Sequence, residues 1–455
     1  MLTEQQKIAH LLRRFGLGAS EQELEFYGKD GLKGAIDRLL NYEAIPEDNL
    51  VDQEVFFTKN NNFKPDQACG WWTHVLIRTK RPLQERMTVF WHNHFATSGV
   101  KVNSGYLLAD QNEIFRRNAT GKFPTLLSEV SKDPAMLYWL DNHLNVVGKP
   151  NENFAREVME LFTLGVGNYS EKDVQEAARA FTGWTYQKRV RAKKPIEEIP
   201  KKTVFVFNKD DHDDGAKTVL GKSGNLTGDD LLELLCNQAQ TARYVTLKIW
   251  EWFVHDAPEA GVIERHATAF RNSGLDIATL LRSIMSSDEF YSEKAYRRLV
   301  KIPIDVTVVT ARQLGLGSVP IPTDGKPSPA FNAVRLANNR MGMELLAPPD
   351  VSGWKPGLTW ITSATMIERV KWADRLFSGR GAGIQFATLL DSDQPRQAVE
   401  KLLSIFDAEM PAEKVNLLVD AATKTSGGSV TRANANIVAS AVTKMIFGCP
   451  EFQAC

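Results

Sequence analysis

Apolar residues in this chain return every third or fourth position over most of its length, and this spacing constrains the fold more than any single motif does. Between Thr3 and Phe15, the residues Ile8, Leu11, Leu12 and Phe15 share one helical face, and Gly16 and Gly18 close the segment. From Pro82, a residue suited to a first helical turn, Leu83, Met87, Phe90 and Trp91 form a second stripe. A third helix is predicted from Asn153 to Leu164, ending at Gly165. Ser170 with Asp173 then makes a capping pair for Val174 to Phe181, before Gly183. Helical spacing resumes after Leu226, near Asp229 to Cys236, Thr241 to Val254, Ile263 to Phe290 and Ile304 to Leu314. The segment Glu344 to Trp354 ends a helix at Pro348 and Pro349 and then turns.

Three stretches depart from this pattern. Gln187 to Lys202 is rich in lysine and arginine without periodicity, which predicts an exposed loop. After it, TVFVF (Thr203 to Phe207) and KTVLG (Lys217 to Gly221) flank NKDDHDDGA, a pattern that predicts a hairpin with a long acidic turn. Pro320 to Pro329 reads as a linker or loop. The fold class expected is mainly α, a multi-helical bundle with a small β-hairpin insertion. A chain of 455 residues exceeds the usual size of one core. The expected division is a 1–375 domain of two lobes, about 1–185 and 225–375, joined by the loop and hairpin at 186–224, with 376–455 as a helical extension packed on it.

Bulk properties exclude several classes. Lys+Arg 55 against Asp+Glu 55 leaves no net charge, which argues against a nucleic-acid binder relying on overall electrostatics. Cys69, Cys236, Cys449 and Cys455 form no CxxC pair, so neither a zinc ribbon nor a disulfide framework is expected. No stretch approaches the roughly twenty apolar residues of a membrane span, and the first residues lack the apolar run of a secretory signal. As written, the chain is expected to be cytoplasmic.

The residues that could carry chemistry lie in two dense segments. In FWHNHFATSG, His92 and His94 are two apart, a spacing that points to one side on a strand but to nearly opposite sides on a helix. Both could hold one metal only if the Pro82 helix ended near His92, and a divalent metal here is the one cofactor the residues suggest. The other reading is an aromatic core around Trp91 and Phe95 in which one imidazole is hydrogen-bonded. In NENFAREVMELFTLG, Asn153, Glu157 and Glu160 follow i, i+4, i+7, with Arg156 four residues before Glu160. Two carboxylates near a guanidinium can divide acid and base roles or hold a cation. On a solvated face the same residues make an Arg156 to Glu160 surface pair of little energetic weight.

DDHDDG fails as a calcium loop. With Gly215 as the loop glycine, Asp210, His212 and Asp214 take the first three ligand positions, but Gly221 stands where the bidentate glutamate belongs. A solvated acidic turn is one reading, and His212, Asp213 and Lys217 beside a cleft is the other. PPDVSGW contains Ser352 without a GxSxG elbow, and the GLG and GVG glycines follow helices as caps rather than phosphate loops.

Taken together, LLRRFGLGA, ERMTVFWHNHF, NENFAREVMELFTLGVGNYSEKDVQEAARAFTGW, HDDGAKTVLG, TARYVTLKIWEWFV, VKIPID and ELLAPPDVSGW resemble the bacterial family called domain of unknown function 1800, in the expected order from about residue 8 to about residue 375. The resemblance implies a mostly helical protein, often encoded beside a second family similar to sulfatases and alkaline phosphatases. It implies no established activity. The family's marked residues fall here on Glu85, Trp91, His92, His94, Asn153, Arg156, Glu157, Glu160, Asp173, Arg179, Trp184, His212, Lys217, Lys301, Asp350 and Trp354. Relatives commonly read ELHTLG where this chain has Phe162, so a histidine is replaced. Many relatives look exported, unlike this chain as written.

Two functions are expected from these residues. The first is a hydrolase of an anionic or carbohydrate substrate, with Glu157 or Glu160 as general base and His92 or His94 as acid or metal ligand. Asn153, Arg156, Arg179, His212, Lys217, Lys301, Asp350 and Trp354 would line its substrate site, all converging on one pocket. The alternative is a non-catalytic binding or assembly protein that works with a sulfatase-like or alkaline-phosphatase-like partner, using Trp71, Trp72, Trp91, Trp184, Trp354 and Trp360 as platforms.

Overall fold

The computed structural model describes residues 2–48, 50, 52–56, 63–187, 203–319, 328–378 and 381–455. Among them, 21 α-helices carry nearly all the regular structure, and the strands form two separate antiparallel pairs, so the chain is mainly α. Many helix starts are written locally. Thr3 with Gln6, Ser20 with Glu23, Ser170 with Asp173 and Thr227 with Asp230 form reciprocal capping boxes, each cap contributing about 1 kcal/mol. Proline occupies the first turn of the Pro65–Arg78, Pro82–His94, Pro303–Gln313 and Pro329–Arg340 helices, where its missing N–H costs nothing.

The Pro82–His94 helix is buried on nearly every side, as befits a helix with apolar or aromatic residues all round. It packs against Glu4–Phe15, Gly31–Leu40, Pro65–Arg78 and Gly105–Arg117. Trp91 Nε1 donates to the Ala119 carbonyl at 2.9 Å, satisfying the polar edge of a fully buried indole. The Ala239–Phe253, Ala260–Asn272 and Ile277–Met285 helices pack in succession, and the last meets Gly31–Leu40. Four C-terminal helices, Ser363–Phe377, Pro395–Ile405, Ala412–Ser426 and Ala435–Gly448, form a further bundle. Arg13 reaches Asp407 at 2.6 Å, and Val300 bridges to Ala454, so this bundle is tied back to the first helix. One contiguous cluster of buried apolar side chains runs from Ile8 to Phe452. No helix among the described residues is long and apolar enough to cross a membrane.

The strands correct one expectation. β1 (Trp184–Tyr186) pairs with β2 (Phe205–Phe207), and β3 (Lys217–Val219) pairs with β4 (Lys222–Gly224), so TVFVF and KTVLG do not form one hairpin. Leu220 and Gly221 both have positive φ, 49° and 80°. Two consecutive left-handed residues make the tight turn whose twist matches paired strands, and KTVLG therefore folds back on the residues just after it. The basic loop expected at Gln187 to Lys202 lies, beyond Gln187, outside the described residues, as does residues 320–327 of the expected linker. Pro329 begins a helix.

Candidate functional site

The Pro82–His94 helix continues through both histidines, and the HNH segment thus splits across it. His92 is fully buried between Trp72, Phe115 and Trp354, with ring centroids at 5.3, 6.2 and 5.5 Å, and among the described residues neither ring nitrogen has a hydrogen-bond partner. Burial alone pushes its pKa down to about 3. His94 Nε2 lies 3.1 Å from the Phe162 carbonyl oxygen. A carbonyl only accepts, so Nε2 carries the proton, and burial holds the pKa down at about 4 against that bond. Among the described residues no group of three His, Cys, Asp or Glu is placed to hold a metal ion.

Asn93, between the two histidines, clamps the PDVSGW turn. Its Oδ1 accepts from Trp354 N at 2.6 Å and its Nδ2 donates to Trp354 O at 3.4 Å. Gly353 sits so close that a Cβ there would come within 2.4 Å of Asn93 Oδ1. Asp350 is exposed, and its Oδ1 accepts from the backbone and hydroxyl of Ser352, an ordinary Asx turn.

The helix after Asn151 changes pitch where its carboxylates lie. Glu152–Glu157 is α-helical, and Val158–Leu164 widens into π turns. Thr163 Oγ1 donates to the Val158 carbonyl at 2.7 Å, occupying a group that an α-turn would use, and Asn168 and Gln240 cap Leu164 O at 3.0 Å. Such a bulge is frequent at functional sites. Gly165, at φ 79°, ends the segment, and a Cβ on it would meet the Tyr244 ring at 2.8 Å. Glu157 is half-buried. Burial, and then the neighbouring Glu160, raise its pKa. The Tyr169 hydroxyl donates to Glu160 Oε2, and burial with that carboxylate pushes the phenol up to about 12.

Arg156 does not pair with Glu160. It makes a bidentate pair with Glu171, at 2.9 and 2.7 Å, and reaches Glu152 at 3.2 Å, because the next helix starts with an acidic turn beside it. Asn153 Nδ2 donates to the Leu140 carbonyl at 3.1 Å.

Arg179, His212 and Lys217 belong to a different assembly, a clasp around the acidic loop. Arg179 is bidentate to Asp213, at 2.7 and 3.1 Å, and pairs with Glu176, so the Asp213 carboxyl is held down at about 2. His212 Nδ1 donates to Thr182 O at 2.9 Å. Buried Lys217 donates to the Asp213 carbonyl, to Gly215 O at 3.0 Å and to Asn225 Oδ1 at 3.3 Å; burial lowers its pKa. The loop is thus solvated at Asp210 and Asp214 and anchored to the fold through His212, Asp213 and Lys217.

Lys301 lies in a fourth place, over the Phe452 ring at 3.7 Å from its centroid. By their bonds and ring contacts the candidates fall into four groups, the HNH–Trp354 contact, the π segment, the clasp and the Lys301 region. The HNH and π regions touch through His94 and Phe162. A cavity of about 630 Å³ between Pro329–Arg340 and Ser363–Phe377 is lined by Asn332, Leu336, Arg340, Asp374 and Arg375, none of them candidates. Trp71, Trp72, Trp91, Trp184, Trp354 and Trp360 are all buried, which removes them as surface platforms. Sequence reasoning passed over Asn93, Tyr169, Glu176 and Tyr244. Only Asn93, lying inside HNH, carried a signal, since a polar residue in an aromatic helix needs partners.

No curated protein and no solved structure matches the chain. The family model described as "Protein of unknown function (DUF1800)" matches residues 10–454, through the C-terminal bundle and across all four groups of candidate residues, and the chain belongs to that family.

Proposed function

We propose that the chain is a hydrolase with Glu157 and Glu160 as its acid–base pair, acting on a carbohydrate. The observation that carries this reading is the unequal pair where the α-helix passes into the π turns. Glu157 is half-buried with a raised pKa, whereas Glu160 accepts a hydrogen bond from Tyr169. A carboxyl group whose pKa burial raises is suited to donate a proton, and a second carboxyl beside it can accept one. Glu157 would give a proton to the leaving oxygen of a glycosidic bond, and Glu160 would take one from the attacking water. A carbohydrate is favoured over an anionic substrate because Arg156, Arg179 and Lys217 already hold groups of this chain. His92 and His94 then act by positioning, through Trp354 and Phe162.

The test is hydrolysis of a glycan panel by wild type, Glu157→Gln and Glu160→Gln. Loss of roughly 10²-fold or more in kcat in each variant is expected. Equal turnover in all three proteins would discard the pair. The alternative, a binding or assembly role with a sulfatase-like or alkaline-phosphatase-like partner, draws on the exposed apolar side chains Val100, Val166 and Leu358. It predicts capture of that partner by Glu157→Gln as well as by wild type, and loss of capture on Val166→Asp. Neither reading calls on nucleic acid, in keeping with the zero net charge.

A further inference from the structure

The Pro329–Arg340 helix presents two stripes. Phe331, Val334, Ala337 and Asn338 are buried on one. Pro329, Ala333, Leu336 and Arg340, at i, i+4, i+7 and i+11, share another face and line the cavity of about 630 Å³. Its facing wall is Asp374, Arg375 and Ser378, at and just past the end of the Ser363–Phe377 helix. That volume falls within the roughly 300–1,000 Å³ of small-molecule sites. A hollow of about 300 Å³ shares Asp374 and Arg375 with it and adds Val370, Lys371 and Lys444.

Cations outnumber carboxylates along these walls. Arg340, Arg375, Lys371 and Lys444 line the two spaces, against Asp374 on the walls and Glu368 bonded to them. Asp374 takes Lys444 at 2.7 Å and the Ser440 hydroxyl at 2.8 Å, both on Oδ1. Arg375 and Lys371 share Glu368, at 3.2 and 2.9 Å. Arg340 is the cation left over. Among the described residues it enters no hydrogen bond and no ion pair, and Glu344, four residues on, makes none with it.

Asn332, at the other end of the stripe, offers a second donor. Arg335 Nε and Nη2 donate to its Oδ1 at 3.2 and 3.1 Å. A guanidinium only donates, so that atom is the carbonyl oxygen, and Nδ2 is left to donate. Eight residues separate Asn332 from Arg340, about 12 Å along the helix. The cavity thus has an apolar wall between a charged donor and a neutral one.

We propose that this cavity binds a small organic anion, an apolar body carrying a phosphate or carboxylate at one end and an acceptor oxygen at the other. The body lies against Pro329, Ala333 and Leu336, the anionic group meets Arg340 with Arg375 on the facing wall, and Asn332 donates to the far oxygen. An inorganic anion leaves the apolar wall wet, and a neutral body leaves Arg340 without a partner. The site does not rest on the hydrolytic reading, since none of its residues bonds to Glu157 or Glu160.

Isothermal titration of the full chain tests it with two probes, 4-methylumbelliferyl phosphate and (4-methylcoumarin-7-yloxy)acetic acid, which separate phosphate from carboxylate. The controls are neutral 7-methoxy-4-methylcoumarin and inorganic phosphate. The expected result is one site per chain for at least one anionic coumarin. Binding should weaken roughly tenfold or more for both controls, and likewise in Arg340→Met and Leu336→Gln. Arg340 is exposed, so its variant should fold; Arg243→Met and Glu157→Gln should bind as wild type does. No binding of either probe, equal binding of the neutral coumarin, or unchanged affinity in Arg340→Met would overturn the site. Loss of binding in Glu157→Gln alone would also overturn it, by moving the probe to the acid pair. If Leu336→Gln does not fold, Arg340→Met and the neutral coumarin decide.

Discussion

The clasp at Arg179 and the π segment at Glu157 are built from the same residue types and differ in how many bonds are left over. In the clasp Arg179 and Lys217 are both held by groups of this chain: Arg179 takes Asp213 and Glu176, and Lys217 takes two carbonyls and Asn225. Along the π segment Glu157 has neighbours that raise its pKa, and no cation is bonded to it among the described contacts. A charged cluster whose valences are all satisfied internally holds a loop in place. One with a carboxyl left over is free to meet a substrate or a proton.

The comparison breaks most visibly at Arg179. Arg179→Met strands Asp213 and Glu176 around a partly buried loop, and a loss of about 2 kcal/mol is expected in urea unfolding at neutral pH. Because the Asp213 carboxyl is held down near 2, its stabilisation is present above the ordinary carboxylate range and disappears as pH falls toward that value. The variant should lack this part of the acid dependence. A loss no larger than that of a surface pair would show that the clasp is not what holds the loop.

Acid unfolding tests the region where the HNH helix meets the π segment. His92 and His94 have folded pKa values near 3 and 4, below the ordinary value of 6.5, so the unfolded chain binds their protons first. Stability therefore falls as pH drops below about 6.5, by up to about 1.4 kcal/mol per pH unit for each imidazole. His92→Phe, which keeps an aromatic ring in the cage, should flatten the slope between pH 6 and 4. An unchanged slope would mean that the ring is already hydrated or protonated.

Smaller effects separate the two regions further. Glu157→Gln removes a carboxylate whose pKa is raised, so it should leave stability at pH 7 unchanged or improve it by less than about 1 kcal/mol, and the gain should vanish at acid pH, where the carboxyl is protonated in both states. A clear destabilisation would recast Glu157 as a structural tie between helices. Arg156→Ala, which breaks half-exposed pairs, should cost about 0.5 kcal/mol or less and respond to salt. A larger, salt-independent loss would place Arg156 with the clasp instead.

Much of the helical layout was legible. Proline at first turns, Ser or Thr followed three residues later by an acid or amide, and glycine at helix ends are local signals read by local hydrogen bonds, and Thr3, Ser170, Pro82 and Gly165 sit where these signals put them. The strand pairing was misread because the turn at Leu220 and Gly221 depends on backbone angles that a leucine does not advertise. Tyr169 and Tyr244 were invisible as neighbours of Glu160 and Gly165, since each arrives from another segment. Phe162 was noticed only as a departure from the family pattern. Its carbonyl bonds His94, and a backbone group serves that role whatever the side chain.

By itself the sequence determined the mainly helical class, the family and the dense polar segments, because periodicity, caps and motif order are carried by residues close together in the chain. The tertiary structure alone decided which charges are consumed and which are left over. Arg156 turned to Glu171, and Arg179 closed on Asp213. A charge acquires its meaning from its partner and its burial, and for these residues packing brings both from distant parts of the chain.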